Sequence, residues 1–250
     1  LYVSVNGAPL PGTPFCPKPC PGPVSPVQCT AGGPGLYDGV TGRSVDVEVR
    51  NTSFYRPWKT TRNGLNGEFA QINLDAPKDG AGEALNIVHL RLRFLDSETG
   101  AEVQLSRFRL TFFDFDEGVS ERGTECLSAR GYSQVKLYEQ QTQLLQLTDQ
   151  LQAQLLRFDE SHGGNWTSFC STEYGVLADN PVSPNVLTEH QKSKAIEVTY
   201  EDASQVEVHF AISCCNNAGR NFLFAGTSNI IPQCPLPPAS PPLSPTPPSA

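Results

Sequence analysis

The sequence predicts an all-β protein: a disulfide-stabilised β-sandwich, jelly-roll or immunoglobulin-like, with one or two short helices and proline-rich terminal arms. Three observations support this fold class. Several segments alternate apolar and polar residues, turn residues separate those segments, and the 250 residues include eight cysteines. Alternation with a period of two is the pattern of a half-buried strand. Strands that recur between turn signals are typical of a two-sheet sandwich.

The alternating segments begin near residue 36 and end near residue 231. Residues 44–49 place three valines on one face, and residues 85–96 and 103–115 alternate over longer stretches. The link between these two, residues 96–100, is predicted to be a hairpin loop. Shorter strands are predicted at 68–74, 135–138, 196–200, 206–213 and 221–225.

Two segments indicate helix. Thr188 and Gln191 have the spacing of a capping box and predict a short helix that leads into a strand. Residues 142–158 carry leucines at spacings of three and four, which favours an amphipathic helix. Because leucine also alternates with glutamine there, one or two strands are the alternative.

Composition divides the chain into four parts. Residues 1–8 contain a short β-branched strand, residues 9–35 form an arm rich in proline, glycine and cysteine, and residues 36–231 are the sandwich body. Residues 232–250 are a tail with nine prolines. Proline fixes φ and has no N–H, so the tail is predicted to be a polyproline II rod.

Charge and hydropathy exclude two classes of function. The net charge of −8 argues against nucleic-acid binding, which needs a basic face. No apolar run approaches the roughly 18 residues that a membrane-spanning helix needs. The chain contains no methionine and starts at Leu1, from which we expect a secreted protein whose signal peptide has been removed.

The cysteines indicate an oxidising compartment. Their number is even and they are spread through the chain, so we expect disulfides, with the pairing left open. The spacing of Cys16 and Cys20 also resembles a zinc ligand pair, but no matching second pair is present. The predicted disulfide cysteines are Cys16, Cys20, Cys29, Cys126, Cys170, Cys214, Cys215 and Cys234.

Covalent glycans are predicted at two kinds of position. Asn51 and Asn165 stand in Asn-x-Ser/Thr acceptor triplets, which need a surface position to be used. Serine and threonine between prolines are typical of an O-glycosylated stalk. The predicted O-glycosylation or hydroxyproline positions are Pro237, Pro238, Ser240, Pro241, Pro242, Ser244, Pro245, Thr246, Pro247 and Pro248.

An acidic cluster is the sharpest local motif. On a strand Asp114 and Asp116 point the same way, and two such carboxylates repel unless a cation, a proton or a basic group lies between them. With Glu117, Glu121 and Asp179 they form a candidate structural calcium site, because calcium prefers oxygen ligands. The alternatives are a solvated strand end and, less favoured, a glycosidase acid/base pair.

No other pattern indicates catalysis. The four histidines are isolated, and no nucleophile-elbow or zinc-protease motif occurs, so the protein is not expected to be an enzyme. Tyr55 and Trp58 lie in an aromatic and basic loop and are candidates for stacking on a sugar, or for packing on a sheet edge. Arg220 is interpreted as a capping residue or a carboxylate partner.

The strand at the start of the chain is a candidate assembly element. The arm separates it from the body, so it either completes its own sheet or adds to the edge of a neighbouring molecule. The residues of this strand are Leu1, Tyr2, Val3, Ser4 and Val5.

Residues 232–250 resemble the Ser-Pro-Pro rods of the hydroxyproline-rich glycoproteins of green algae and plants, and the stretch Pro14-Phe-Cys-Pro-Lys-Pro-Cys20 is similar to the pherophorin group among them. The resemblance covers only the two low-complexity ends. It implies a protein of an extracellular matrix, wall or surface appendage.

Together these observations predict a structural glycoprotein that assembles with itself into a fibre, wall or matrix. A calcium-dependent carbohydrate-binding or adhesion module is the alternative, and a polysaccharide hydrolase is the third hypothesis.

Overall fold

The computed structural model describes residues 2–5, 36–38, 43–78, 84–118, 123–138, 142–147, 165–214 and 218–228. In this part of the chain the strands form two antiparallel sheets with a shared apolar core between them. The predicted disulfide-stabilised β-sandwich is therefore confirmed. The predicted arm and the proline-rich tail lie outside the described residues.

The first sheet has eight strands. These are β1 (Tyr2–Val5), β2 (Leu36–Asp38), β3 (Arg43–Asn51), β6 (Leu85–Asp96), β8 (Glu125–Ala129), β10 (Leu144–Gln146), β11 (Thr167–Ser171) and β13 (Gln205–Ser213). Their order is β1-β3-β6-β13-β8-β11-β10, and β2 pairs with β3 beside β1.

The second sheet has six strands. These are β4 (Gly64–Asn66), β5 (Phe69–Leu74), β7 (Leu105–Phe113), β9 (Gln134–Lys136), β12 (Ile196–Ala203) and β14 (Arg220–Ser228), in the order β4-β5-β14-β7-β12-β9. A short helix, α1 (Glu189–Ser193), precedes β12, and 3₁₀ turns lie at Thr60–Arg62 and Leu177–Asp179. The predicted capping box is confirmed, since Gln191 N donates to Thr188 Oγ1 and Thr188 N to Gln191 Oε1.

The core forms where the inward faces of the two sheets meet. Every second residue of β6 is buried, as the alternation of its sequence predicts. Phe94 on β6 packs edge-to-face on Phe108 of β7, with ring centroids 4.5 Å apart. Phe210 on β13 stacks on Phe222 of β14 at 4.3 Å. Aromatic contacts across the gap therefore join the two sheets.

Two sequence predictions are wrong in part. Residues 96–100 do form a tight turn, with a bridge between Leu95 and Glu102, but β6 and β7 do not continue as a pair because β7 passes into the second sheet. The helix favoured for 142–158 is contradicted at Leu144–Gln146, which is strand β10 paired with β11. The backbone of Leu144–Gln146 pairs with β11 instead of forming bonds within its own segment, and residues 148–164 lie outside the described range.

The disulfide between Cys126 and Cys170 joins two neighbouring strands. The two residues are directly opposite each other in the register of β8 and β11. Their side chains are buried in a small cluster with Leu147 and Ala211 on the face of the sheet opposite the main core. Cys214 is disulfide-bonded too. The other five cysteines lie outside the described residues.

The N-terminal strand pairs with its own chain in this structure. Val3 is opposite Val49 and Val5 is opposite Val47, so β1 runs antiparallel along one half of β3. Strand β2 pairs with the other half, at residues 43–45. One side of β3 is therefore covered by two short strands, and its other side pairs with β6.

Replacing both Cys126 and Cys170 by alanine is expected to lower the free energy of unfolding by about 2 to 4 kcal/mol. The bond closes a loop of 44 residues, and its loss frees the unfolded chain. Urea unfolding followed by tryptophan fluorescence measures the change. Leu145→Ala is the control, because Leu145 lies opposite Cys170 but is half exposed. A double variant as stable as this control would contradict the prediction.

Candidate functional site

A buried ionic network lies at one end of the sandwich, where β7 ends and β8, β12 and β14 begin. Asp114 and Asp116 follow β7, Glu125 starts β8, and Arg220 starts β14. The network consists of Asp114, Asp116, Glu125, Asp179, Lys194 and Arg220.

Arg220 binds one pair of carboxylates. Its Nη1 lies 2.8 Å from Asp116 Oδ1 and its Nε lies 3.6 Å from Glu125 Oε1. Asp116 N also donates to Glu125 Oε2 at 3.3 Å. Glu125 and Asp116 are both buried, so their charges depend on Arg220 for compensation. The interpretation of Arg220 as a carboxylate partner is confirmed.

Lys194 and Asp179 form the second ion pair, and neither side chain is exposed to solvent. Lys194 Nζ lies 2.6 Å from Asp179 Oδ2 and donates also to Tyr174 O at 3.0 Å. Val176 N donates to the same Oδ2 at 2.8 Å. His190 Nε2 lies 2.6 Å from Oδ1. The contact is electrostatic, because its geometry is not that of a hydrogen bond. Each carboxylate oxygen of Asp179 therefore lies next to at least one nitrogen atom.

Asp114 is the strained member of the network. Its φ of 65° lies in the left-handed region, which few residues other than glycine, asparagine and aspartate adopt. Its Oδ1 is buried without a hydrogen-bond partner. Burial raises the pKa of the Asp114 carboxyl to about 7, and the charge of Asp116 adds to this, while Lys194 opposes it.

The network carries more carboxylates than cations. Full ionisation of the four acids against Lys194 and Arg220 would leave two uncompensated negative charges. Burial also raises the pKa of Asp116, and it raises the pKa of Glu125 well above its usual range, in both cases against the opposing effect of Arg220. The pKa of Asp179 is lowered, because the bonds from Lys194 and Val176 outweigh its burial. The raised pKa values favour the protonated forms of these acids, which reduces the excess of negative charge.

The backbone at Gly175 packs tightly against the Asp116 side chain at one side of the network. A Cβ at Gly175 would lie 1.9 Å from Asp116 Oδ2, so only glycine fits there. Glu117 N donates to Glu173 O, which docks this loop on the end of β7. The side chain of Glu117 turns away and accepts from Thr124 Oγ1 at 3.1 Å.

The predicted calcium ligands are brought together only in part. Asp114, Asp116 and Asp179 interact electrostatically within the network, Glu117 bonds elsewhere, and Glu121 lies outside the described residues. Among the residues the structure describes, no group of three or more His, Cys, Asp or Glu side chains is arranged to hold a metal ion. The basic groups Arg220 and Lys194 fill the spaces between the carboxylates.

The aromatic and basic loop lies beside this network. The Tyr55 hydroxyl lies 2.8 Å from Asn63 Oδ1 and 2.6 Å from Asn73 O, and burial raises its pKa to about 12. Lys59 Nζ lies over the Trp58 ring, 4.2 Å from the ring centroid. A Cβ at Gly219, next to Arg220, would lie 2.3 Å from Trp58 Cβ. The start of β14 thus separates Trp58 from the carboxylates.

The two predicted glycosylation sites differ in their surroundings. Asn51 ends β3 and is half-buried, with its Nδ2 donating to Ser53 O at 2.8 Å. Asn165 is exposed and stands at the rim of a cleft of about 700 Å³ that Arg130, Tyr132 and Gln205 also line.

Comparisons with known proteins do not assign the chain to a family. No protein-family model matches the chain, and no curated protein matches it. Among solved structures, the N-terminal domain of the Streptococcus gordonii adhesin Sgo0707 is similar with a TM-score of 0.42 and 7% identity, over 74% of this chain. The match spans 43% of that adhesin chain. No helix in the described part of the chain is long and apolar enough to cross a membrane.

The contribution of Asp114 to the stability of the protein is expected to fall as pH rises from about 4 to about 7. Folded Asp114 keeps its proton up to a pKa of about 7, whereas the unfolded chain releases it near 3.8, so the folded state binds more protons in this range. Asp114→Asn removes this contribution and should make the loss of stability with rising pH less steep than in the wild type, leaving the variant the more stable protein at about pH 8, while the raised pKa values of Asp116 and Glu125 remain. Urea unfolding at several pH values measures the free energy of unfolding of both proteins.

The matched control for this experiment is Asp202→Asn. Asp202 also has a left-handed φ, of 49°, but its side chain is exposed. Its variant should keep the pH dependence of the wild type. Equal slopes for Asp114→Asn and the wild type would contradict the assignment.

Proposed function

We propose that the protein is a secreted structural module that assembles with copies of itself at the β3 edge. The observation that carries the proposal is the pairing of β1. Four residues, Tyr2–Val5, complete one half of that edge, and they are tied to the body through residues 6–35. The disulfide of Cys126 and Cys170 supports an oxidising, extracellular setting.

The geometry of the edge favours exchange between molecules. The backbone groups along residues 47–50 accept an antiparallel strand in a defined register, and any copy of the chain carries that strand. The connecting segment of thirty residues could reach at most about 100 Å. A strand of four residues makes few ladder bonds, so releasing it from its own sheet costs little compared with releasing a long strand. Domain swapping of this kind is a low-cost route to oligomers.

The ends of the sequence support the same proposal. The resemblance of residues 232–250 to hydroxyproline-rich rods fits a module displayed in a wall or matrix, with O-linked glycans on the rod and N-linked glycans on Asn51 and Asn165. In this proposal the sandwich is a rigid unit, the rod is a spacer, and neither part performs catalysis.

Deleting residues 1–8 is expected to abolish assembly, because the β3 edge then has no strand to receive from a neighbour. Negative-stain imaging and sedimentation of the native protein and the variant measure this. Deleting residues 232–250 is the matched control and should leave assembly intact. Fibres that survive the first deletion, or a native protein that stays monomeric at all concentrations, would exclude strand donation.

Competition with a peptide of residues 1–8 is a second test of strand donation. Added in excess, it should occupy the β3 edge and block assembly of the full chain, whereas a peptide of the same composition in scrambled order should not. Equal effects of the two peptides would count against a specific register.

A second candidate function is calcium-dependent carbohydrate binding. The observation that favours it is the contact of Gly219 with Trp58 next to the bond from Arg220 to Asp116, which brings the aromatic loop and the acidic residues to one end of the sandwich. Calcium at Asp114 and Asp116 remains a prediction and would replace the protons that these acids hold.

A glycan screen with and without calcium tests this second candidate. Binding that needs calcium and falls at least tenfold in Trp58→Ala would support it. Phe54→Ala is the control, because Phe54 lies in the same loop and is 79% exposed. A screen without binding in both conditions would remove this function.

A further inference from the structure

The pair formed by Lys194 and Asp179 is unlike every other ion pair in the described part of the chain. Both side chains are 0% exposed, and their reacting groups lie 2.6 Å apart. Lys192 and Glu189 form a pair of nearly the same length, 2.7 Å, but their side chains are 43% and 61% exposed. The two pairs therefore differ in access to water and not in distance.

The surrounding structure holds both partners in place. Gln191 Nε2 donates to Ala178 O at 3.3 Å and to Asn180 O at 3.1 Å, so α1 is bonded to the turn on both sides of Asp179. Phe115 N donates to Lys194 O at 3.2 Å, which fixes the backbone of Lys194 against the end of β7. The amine and the carboxyl group are thus presented to each other by two anchored backbones, the condition in which intramolecular reactions gain high effective concentrations.

We propose that Lys194 and Asp179 become joined by an amide bond between Nζ and Cγ, formed by the folded protein itself. The burial of both groups and their contact distance carry this inference. It is independent of strand exchange at the β3 edge, since the pair lies at the end of β7 and not on β3.

The reaction balances without any further reagent. The ammonium passes one proton to the carboxylate, which gives an amine and a carboxylic acid. The nitrogen lone pair attacks Cγ, a C–N bond forms, and the hydroxyl oxygen leaves as water with a second proton taken from nitrogen. The products are one secondary amide and one water molecule, and neither partner is oxidised or reduced.

Burial favours the neutral product of this reaction. Charged groups lose their hydration when they are buried, which opposes the ion pair, although the bonds from Lys194 and Val176 keep the pKa of Asp179 low before the amide forms. The amide that forms carries no charge, so it removes the cost of burying two ions. The product ties the turn at Leu177–Asp179 to the residue that follows α1, which closes a covalent loop across a sequence separation of 15.

Peptide mapping of the intact native chain tests the proposal. An endoprotease that cuts after glutamate releases residues 174–189, which contain Asp179, and residues 190–197, which contain Lys194. Neither peptide contains a cysteine or an Asn-x-Ser/Thr triplet, so disulfides and N-linked glycans do not complicate the masses. We expect a single branched species with the mass of both peptides less one water, and loss of most of the two separate peptides.

Lys192 is a control within the same peptide. Fragment ions should place the branch on Lys194, and Lys192→Arg should keep the branched species. Lys194→Arg retains the positive charge but has no amine that can form this bond, so both separate peptides should return. Should that variant fail to fold, the wild-type map decides alone. Two separate peptides in full yield from the folded wild type, or a branch on Lys192, would overturn the proposal.

Discussion

Lys194 is fully buried at the end of the sandwich, and the local structure depends on compensating its charge. A buried ammonium without a partner would cost several kcal/mol. The compensation comes from Asp179, which reaches Lys194 only because the turn that carries it is docked on α1 through Gln191. The capping box at Thr188 therefore does more than start a helix, since the same glutamine side chain caps the helix and fixes the acidic turn.

The inward faces of the long strands could be predicted from the sequence because alternation is a local property. Residues 44–49 and 85–96 place every second side chain in the core, and those side chains are buried in the structure. Strands β8 and β11 were missed, because Glu-Cys-Leu-Ser-Ala and Thr-Ser-Phe-Cys-Ser lack that alternation. Both faces of these strands are buried: the disulfide cluster covers one face, and Ser128 and Ser168 bond each other at 2.6 Å.

The acidic cluster illustrates where local reasoning fails. The sequence marks Asp114 and Asp116 as carboxylates that need a partner between them. The partners come from far along the chain, Lys194 from the end of α1 and Arg220 from the start of β14, and no spacing rule connects them to the end of β7. Asp114 also leaves the strand geometry, with its φ of 65°, so the alternation that placed it on the same face as Asp116 ends one residue before it. Glu125 gave no signal because it stands alone in a strand of small residues.

The outer face of the first sheet is relevant to the proposed pairing between molecules, because it carries paired charges. Arginine and glutamate side chains cross-link its outer face, with Arg91 bound to Glu207 at 3.0 Å and Arg93 bound to both Glu48 and Glu102. Such a charged face disfavours stacking of one sheet on another. Along β3, the short strands β1 and β2 pair in a defined antiparallel register. In the proposed assembly, contact between molecules is therefore directed to the β3 edge, where the register of β1 on β3 sets the alignment and direction of the added strand.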